Sequence, residues 1–153
     1  MQKITPWIII NDRVEEAMNF YVSVFKNARI VDVWRMGEGQ PVLTASLELD
    51  GERLNLLNMG PKVEPNAAVS FFINCQTQAE VDELWDKLTA DGGSPIQCGW
   101  LKDKFGVHWQ VIPEALMRLN RDKDPVKAQR VMQAMMKMVK IDVAGLERAY
   151  AGN

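Results

Sequence analysis

The 153-residue sequence lacks several features that would assign it to a class at once. It has two cysteines, one histidine and no apolar run close to the roughly 20 residues that a membrane span requires. Eighteen basic residues against 20 acidic ones give a formal charge of −2, without the basic excess of nucleic-acid-binding proteins. No signal-peptide pattern opens the sequence, so we expect a cytoplasmic protein without membrane or nucleic-acid partners, with reduced thiols at Cys75 and Cys98.

The first part of the sequence predicts a strand, a helix and three strands. Apolar or alternating segments at 4–10, 30–36, 42–49 and 52–58 predict the strands. Asp12 and Glu15 have the spacing of a capping box before a helical stripe. The dipeptide Asp50-Gly51 predicts a two-residue hairpin turn.

The same order of elements then recurs. Strands are predicted at 69–75, 95–98, 99–102 and 107–112, and Thr77 with Glu80 predicts a second capped helix. The last strands of the two halves, GERLNLL and GVHWQVI, share a pattern with a side-chain amide at the fifth position. We therefore predict one α+β domain over 1–153, made of two tandem βαβββ modules at 1–61 and 66–113.

Residues 114–153 lie outside the repeat and predict a helical tail. Asp124-Pro125 is a typical helix start, and the helix predicted over 126–140 carries methionines on more than one face. Asp142 is expected to cap a last short helix. Because one packing contact does not cover such a helix, we expect a homodimer to which the tail contributes. The alternative is that both tail helices only cover their own domain as a second layer.

The segments FYVSVFKNARI, SFFINCQTQAEVDELWDKL and CGWLKDKFGVHWQVIP resemble the PhnB-like branch of the vicinal oxygen chelate superfamily, which includes glyoxalases and fosfomycin-resistance proteins. This resemblance implies that the two modules form a cup of curved sheets. Members of the branch often carry a demethylubiquinone methyltransferase name. Methyltransferase activity is not expected here, because no strand leads into a glycine-rich turn.

In metal-dependent members of the superfamily, each module supplies one ligand from its first strand and a glutamate from its last. The first-strand positions fall near Pro6 in the first module and, within a residue or two, near Ala68 in the second, whereas the glutamate positions fall on Asn55 and Gln110. None of the four is a usual ligand of Zn²⁺, Ni²⁺ or Fe²⁺. We therefore expect no metal and no other cofactor.

Strand alternation predicts which side chains line the cup. With Asn55 and Gln110 inward, the register set by Asp50-Gly51 puts Glu48 opposite Arg53 and Ser46 opposite Asn55. A similar count puts Leu101 opposite His108, and Gly99 opposite Gln110 with room left for a ligand. The predicted ligand-binding residues are Thr44, Ser46, Glu48, Arg53, Asn55, Phe72, His108 and Gln110. Four tryptophans are assigned to the core: Trp7, Trp85, Trp100 and Trp109.

Three functions fit this pattern. We favour a small-molecule-binding protein whose ligand is unknown. The alternative is an enzyme acting on a small oxygenated or phosphonate-like substrate, with Arg53 and His108 binding an anionic group. Glu48 and His108 are its only catalytic candidates. The third possibility is a structural dimer with a vestigial cup.

Overall fold

The computed structural model describes residues 2–59 and 62–153, and the chain divides into two compact units. The first unit runs up to Pro65 and the second covers Asn66–Asn153. The first unit contains one strand, one helix and three further strands: β1 (Trp7–Ile9), α1 (Val14–Val24), β2 (Ala28–Arg35), β3 (Val42–Leu49) and β4 (Glu52–Leu57).

The second unit repeats this order before its helical tail. Its elements are β5 (Ser70–Cys75), α2 (Gln78–Thr89), β6 (Ser94–Pro95), β7 (Trp100–Lys102), β8 (His108–Pro113), α3 (Glu114–Asn120), α4 (Pro125–Met135) and α5 (Val143–Ala151). None of the helices in the described part of the chain combines the length and the apolar composition that crossing a bilayer requires.

Both sheets have the same topology. The strand order is β1-β4-β3-β2 in the first unit and β5-β8-β7-β6 in the second. In each sheet the first strand runs parallel to the fourth, and the remaining neighbours are antiparallel. The predicted α+β fold with two βαβββ modules is confirmed, while the exact module boundaries stay a prediction.

The core of the first unit follows from the alternation in β3. Ala45, Leu47 and Leu49 are buried on one face, where α1 packs with Tyr21 fully buried. Burying a side chain such as leucine contributes about 1.5–3 kcal/mol. The intervening residues of β3 are only half-buried, so the opposite face of the sheet is left for polar groups.

One of the two predicted capping boxes is wrong. Asp12 has a positive φ of 63° and its backbone N–H donates to Asn58 Oδ1, so α1 begins after Arg13, which makes no side-chain cap. The box before α2 is confirmed, because Thr77 Oγ1 accepts from the Glu80 N–H and Glu80 Oε2 accepts from the Gln76 N–H.

The core assignment of the tryptophans is half correct. Trp85 and Trp109 are buried in the second unit. Trp7, by contrast, is 56% exposed, because β1 is an edge strand and directs this side chain to the face opposite α1. Trp100 is also outside the core and lies in register with Gln110.

The tail packs on the second unit through a small apolar cluster. Asp124 and Asp142 cap α4 and α5 as predicted, but α4 ends at Met135 rather than continuing to residue 140. The chain after α4 turns so that Ile141 becomes fully buried. The cluster consists of Ile112, Leu116, Leu119, Val131, Ile141 and Leu146.

Gly99 is the point at which the tail meets the sheet. Its φ is +82°, and a Cβ there would lie 2.7 Å from Ile112 Cδ1 and 3.0 Å from Ile141 Cγ1. The N–H groups of Cys98 and Gly99 donate to the carbonyls of Met138 and Val139. The space that the sequence suggested for a ligand is therefore filled by Ile112 of β8 and by Ile141 of the tail.

Replacing Gly99 by alanine should lower the free energy of unfolding by about 2–4 kcal/mol, since it adds both backbone strain and overpacking. Gly92→Ala is the matched control in the same unit. Its φ is +109°, but the nearest atom to an added Cβ is Lys104 Cβ at 3.9 Å, so about 1–2 kcal/mol is expected. Urea unfolding measures both values, and equal losses would contradict the tail packing described here.

Candidate functional site

The polar face of the first sheet is organised in three rows of side chains that lie side by side across the strands. Residues in register share a face of a sheet. The first row is Arg29, Glu48 and Arg53; the second is Asp32, Ser46, Asn55 and Trp7; the third is Trp34, Thr44, Leu57 and Ile9. The predicted pairs Glu48–Arg53 and Ser46–Asn55 are confirmed.

Glu48 is held by arginines on both neighbouring strands. Arg29 Nε and Nη2 donate to its two carboxylate oxygens at 3.1 and 3.0 Å, whereas Arg53 Nε lies 3.6 Å from Oε2. The hydrogen bonds from Arg29 lower the pKa of the half-buried Glu48. A carboxylate stabilised in its charged form is a poor general base at neutral pH.

Asn55 lies at the centre of this face. It is half-buried between Ser46 on β3 and Trp7 on β1, and its backbone N–H donates to the Pro6 carbonyl. The first-strand residue in register with Asn55 is thus Trp7, one position after Pro6, the residue near which the sequence placed this position. Within the described residues the Asn55 amide makes no side-chain hydrogen bond, which leaves its donors and acceptor available.

Gln110 occupies the equivalent place in the second sheet. It lies in register with Phe72, which is 49% exposed, and its Nε2 donates to Ser70 Oγ at 2.8 Å. Phe72 was predicted on this face and is found there. Ala68, however, lies before the start of β5, so it is not the first-strand neighbour of Gln110.

The antiparallel register in the second sheet differs by one residue from the prediction. His108 is opposite Lys102 rather than Leu101, and Gln110 is opposite Trp100 rather than Gly99. Ser70 completes the row of His108. His108 is only 8% exposed and its Nδ1 has no hydrogen-bond partner within the described residues.

Asp103 explains the shifted register and was missed by sequence reasoning. Its buried carboxylate accepts from the backbone N–H groups of Phe105 and Val107 and from Trp109 Nε1, at 2.8, 3.0 and 2.8 Å. The Asp103 N–H donates to the Val107 carbonyl, so the loop contains three residues instead of four. In the sequence, the signal for this contact was an aspartate, Asp103, six residues before a tryptophan, Trp109.

The cysteines lie apart from these rows. Burial, with a smaller contribution from Glu80, raises the pKa of the Cys75 thiol to about 12, so the thiol remains protonated. Cys98 is half-buried beside Met138 of the tail.

The groups beside the two amides do not fit a transition metal. The strand neighbours of Asn55 offer a hydroxyl and an indole, with Asp32 one strand further away, and those of Gln110 offer a hydroxyl and two aromatic rings. Neutral amide oxygens are weak donors for Zn²⁺, Ni²⁺ or Fe²⁺. Within residues 2–59 and 62–153, no three His, Cys, Asp or Glu side chains are grouped so as to hold a metal ion.

A family model described as 3-demethylubiquinone-9 3-methyltransferase matches residues 2–112. A solved structure from Bacillus cereus, described as a 3-demethylubiquinone-9 3-methyltransferase and PhnB protein, is 31% identical over 71% of this chain and 97% of its own, with a TM-score of 0.65. The chain belongs to this PhnB-like family. A comparison with curated proteins finds no match.

Two more distant structures share the fold of the PhnB-like family. Protein PA1353 from Pseudomonas aeruginosa is 23% identical, covering 71% of this chain and 95% of its own, with a TM-score of 0.60. The fosfomycin resistance protein FosX from Listeria monocytogenes, solved with Mn(II) and 1S,2S-dihydroxypropylphosphonic acid, is 15% identical over 71% and 90%, with a TM-score of 0.53. The predicted PhnB-like resemblance is confirmed by the family model and the Bacillus cereus structure, and these two more distant structures show the same fold.

Replacing Arg29 by glutamine should raise the pKa of Glu48 toward its ordinary value, because the hydrogen bonds that stabilise the carboxylate are lost. The lowered pKa stabilises the folded state at neutral pH, and this stabilisation disappears as the pH falls through the folded-state pKa. Carboxyl ¹³C NMR titration measures the change. Arg13→Gln, which removes the partner of Glu16, should leave Glu48 unchanged; an unaltered Glu48 titration in Arg29→Gln would contradict the assignment.

Proposed function

We propose that this PhnB-like chain binds a small organic molecule on the polar faces of its sheets, without a transition metal. The observation that carries this proposal is an amide beside an exposed aromatic ring in each unit, Asn55 with Trp7 and Gln110 with Phe72. Amides orient a ligand through hydrogen bonds, and aromatic rings supply contact area at low entropic cost. Two equivalent pairs support a role in binding.

The proposed ligand-contacting residues are those predicted from the sequence. On the first sheet they are Thr44, Ser46, Glu48, Arg53 and Asn55; on the second they are Phe72, His108 and Gln110. We propose that they bind rather than catalyse. The pKa of Glu48 is lowered by its arginine partners, and His108 has no carboxylate in its row to orient it as an acid or base.

We do not extend the methyltransferase description to this chain. The connections between first strand and helix are short and contain no glycine: Ile10–Arg13 in the first unit, Gln76–Thr77 in the second. A glycine-rich turn lets the backbone approach a nucleotide-like cofactor closely.

We also propose a cytoplasmic protein without nucleic-acid partners, in keeping with the charge of −2.

An enzyme acting on a phosphonate-like or other oxygenated substrate is the second candidate. It is favoured by Arg53, whose terminal guanidinium nitrogens make no hydrogen bond among the described residues and could hold an anionic group. Turnover that Glu48→Gln or His108→Gln abolishes without loss of ligand binding would establish this candidate in place of simple binding.

The side-chain amide signals of Asn55 and Gln110 provide the direct test. Addition of a fragment library to ¹⁵N-labelled protein should yield ligands that shift these two signals in heteronuclear NMR spectra. Asn58 serves as an internal control, because its side chain is engaged with Asp12 and Val42. If no compound moves Asn55 or Gln110 more than Asn58, the binding proposal fails.

The same samples test the metal prediction. Addition of one equivalent of Mn²⁺ should not broaden the Asn55 and Gln110 signals, because paramagnetic broadening requires the ion to bind within a short distance. Elemental analysis of purified protein should find well below one Zn, Ni, Fe or Mn per chain. Selective broadening of both signals, or stoichiometric metal, would show that amide oxygens do coordinate an ion here.

We propose a homodimer to which the tail contributes. Met132 of α4, and Met136 and Val139 after it, are exposed in the single chain. Residues 114–153 carry eight basic and five acidic residues, whereas the rest of the chain carries ten and 15. Opposite net charges favour contact between the tail of one copy and the body of another.

Light scattering across a dilution series should give about twice the 17.4 kDa chain mass for the natural sequence. The double substitution Met132→Glu and Met136→Glu should shift it to monomer, because charge on an apolar interface is costly. Ala144→Glu, at an exposed position of α5, is the control and should remain dimeric. A monomer at all micromolar concentrations would refute the dimer.

A further inference from the structure

Two indole rings lie on the polar face of the first sheet and remain largely open to solvent. Trp7 is 56% and Trp34 is 54% exposed, on the strands at opposite edges of the sheet. Between them the central strands present Asn55, Ser46 and Thr44. Exposed indoles on both sides of a hydroxyl and amide surface suit a flat molecule that stacks and hydrogen-bonds.

Charge on this face is unevenly distributed. Arg29 satisfies both oxygens of Glu48, so those two groups largely neutralise each other. Asp32 lies on the edge strand β2, on the same side as that pair. Arg53 lies on β4, next to the strand of Trp7, and contacts Glu48 only at 3.6 Å through Nε. The corner formed by Arg53, Asn55 and Trp7 is therefore electropositive.

The spacing of these three residues suits one ligand. Residues two apart on a strand are separated by about 6.6 Å, and neighbouring strands by about 4.8 Å. A ring stacked on Trp7 therefore brings its substituent within reach of the long Arg53 side chain, with Asn55 between them. A planar carboxylate matches the donor geometry of a guanidinium better than a neutral group does.

We propose that the ligand of this face is an aromatic carboxylate, whose ring stacks on Trp7 while its carboxylate pairs with Arg53 and accepts a hydrogen bond from Asn55. This inference rests on the proposed small-molecule binding and names its ligand class. Loss of the charge should cost affinity because a charge-assisted hydrogen bond is worth more than a neutral one. Loss of the aromatic ring should cost affinity because the indole loses its stacking partner.

Three probes separate the contribution of the carboxylate charge from that of the aromatic ring. 2-Naphthoate carries both features, 2-naphthamide has the same ring without charge, and cyclohexanecarboxylate has the charge without aromaticity. In NMR titrations, 2-naphthoate should shift the Trp7 indole N–H and the Asn55 amide, and bind at least tenfold more tightly than either of the others. Arg53→Gln and Trp7→Leu should each weaken binding about tenfold or more, and both positions are exposed enough that the fold is retained.

Lys123→Gln, which removes one exposed positive charge from the tail, is the matched control and should leave the affinity for 2-naphthoate unchanged. Equal affinity for the acid and the amide, or equal effects of Arg53→Gln and Lys123→Gln, would overturn the carboxylate assignment. Shifts confined to residues outside this corner would also overturn it. If other library compounds still shift Asn55, the proposed function stands while this inference falls; if none does, both fall.

Discussion

The pairing register of β3 with β4 determines what the first sheet presents to solvent. Asp50 and Gly51 both have positive φ values, 49° and 89°, as a tight two-residue hairpin turn requires. A slip of β4 by one residue would exchange its two faces, turning Arg53 and Asn55 toward α1 and exposing Leu54. The pairs Glu48–Arg53 and Ser46–Asn55 follow from this turn, and the pairing of β2 and β1 with this hairpin adds Arg29 and Trp7 to the same face.

The hairpin of β3 and β4 could be predicted from sequence because its turn is local. A two-residue turn permits one register, and alternation then assigns the paired side chains to a face, whereas the exposed position of Trp7 on the edge strand β1 was missed. The second sheet could not be predicted in the same way. Its hairpin loop has three residues, with Gly106 at a φ of 85°, and is held by the buried carboxylate of Asp103. Counting four loop residues moved Trp100 to the wrong face and misplaced the neighbours of Gln110.

The tail shows another limit of pattern reasoning. The sequence predicts an apolar helix over 126–140, which the structure ends at Met135, and it does not indicate which surface this helix covers. A glycine in a strand leaves space, and the sequence does not say whether a ligand or a distant side chain fills it. Ile112 and Ile141 fill the space at Gly99, Ile141 from about forty residues along the chain, and both belong to one buried cluster. Such packing depends on tertiary structure that spacing alone does not reveal.

The two faces differ in a way that bears on the proposed binding role. Their central residues correspond, Asn55 with Gln110 and Trp7 with Phe72, yet the adjacent rows do not. The first sheet has Glu48 between two arginines, whereas the second has Lys102 beside a buried His108 and no carboxylate in that row. A duplicated amide and aromatic pair with unlike charged neighbours would hold the body of a ligand in a similar way on both sheets. The flanking charges would then decide which substituents each face accepts, so specificity lies in those rows and not in the shared pair.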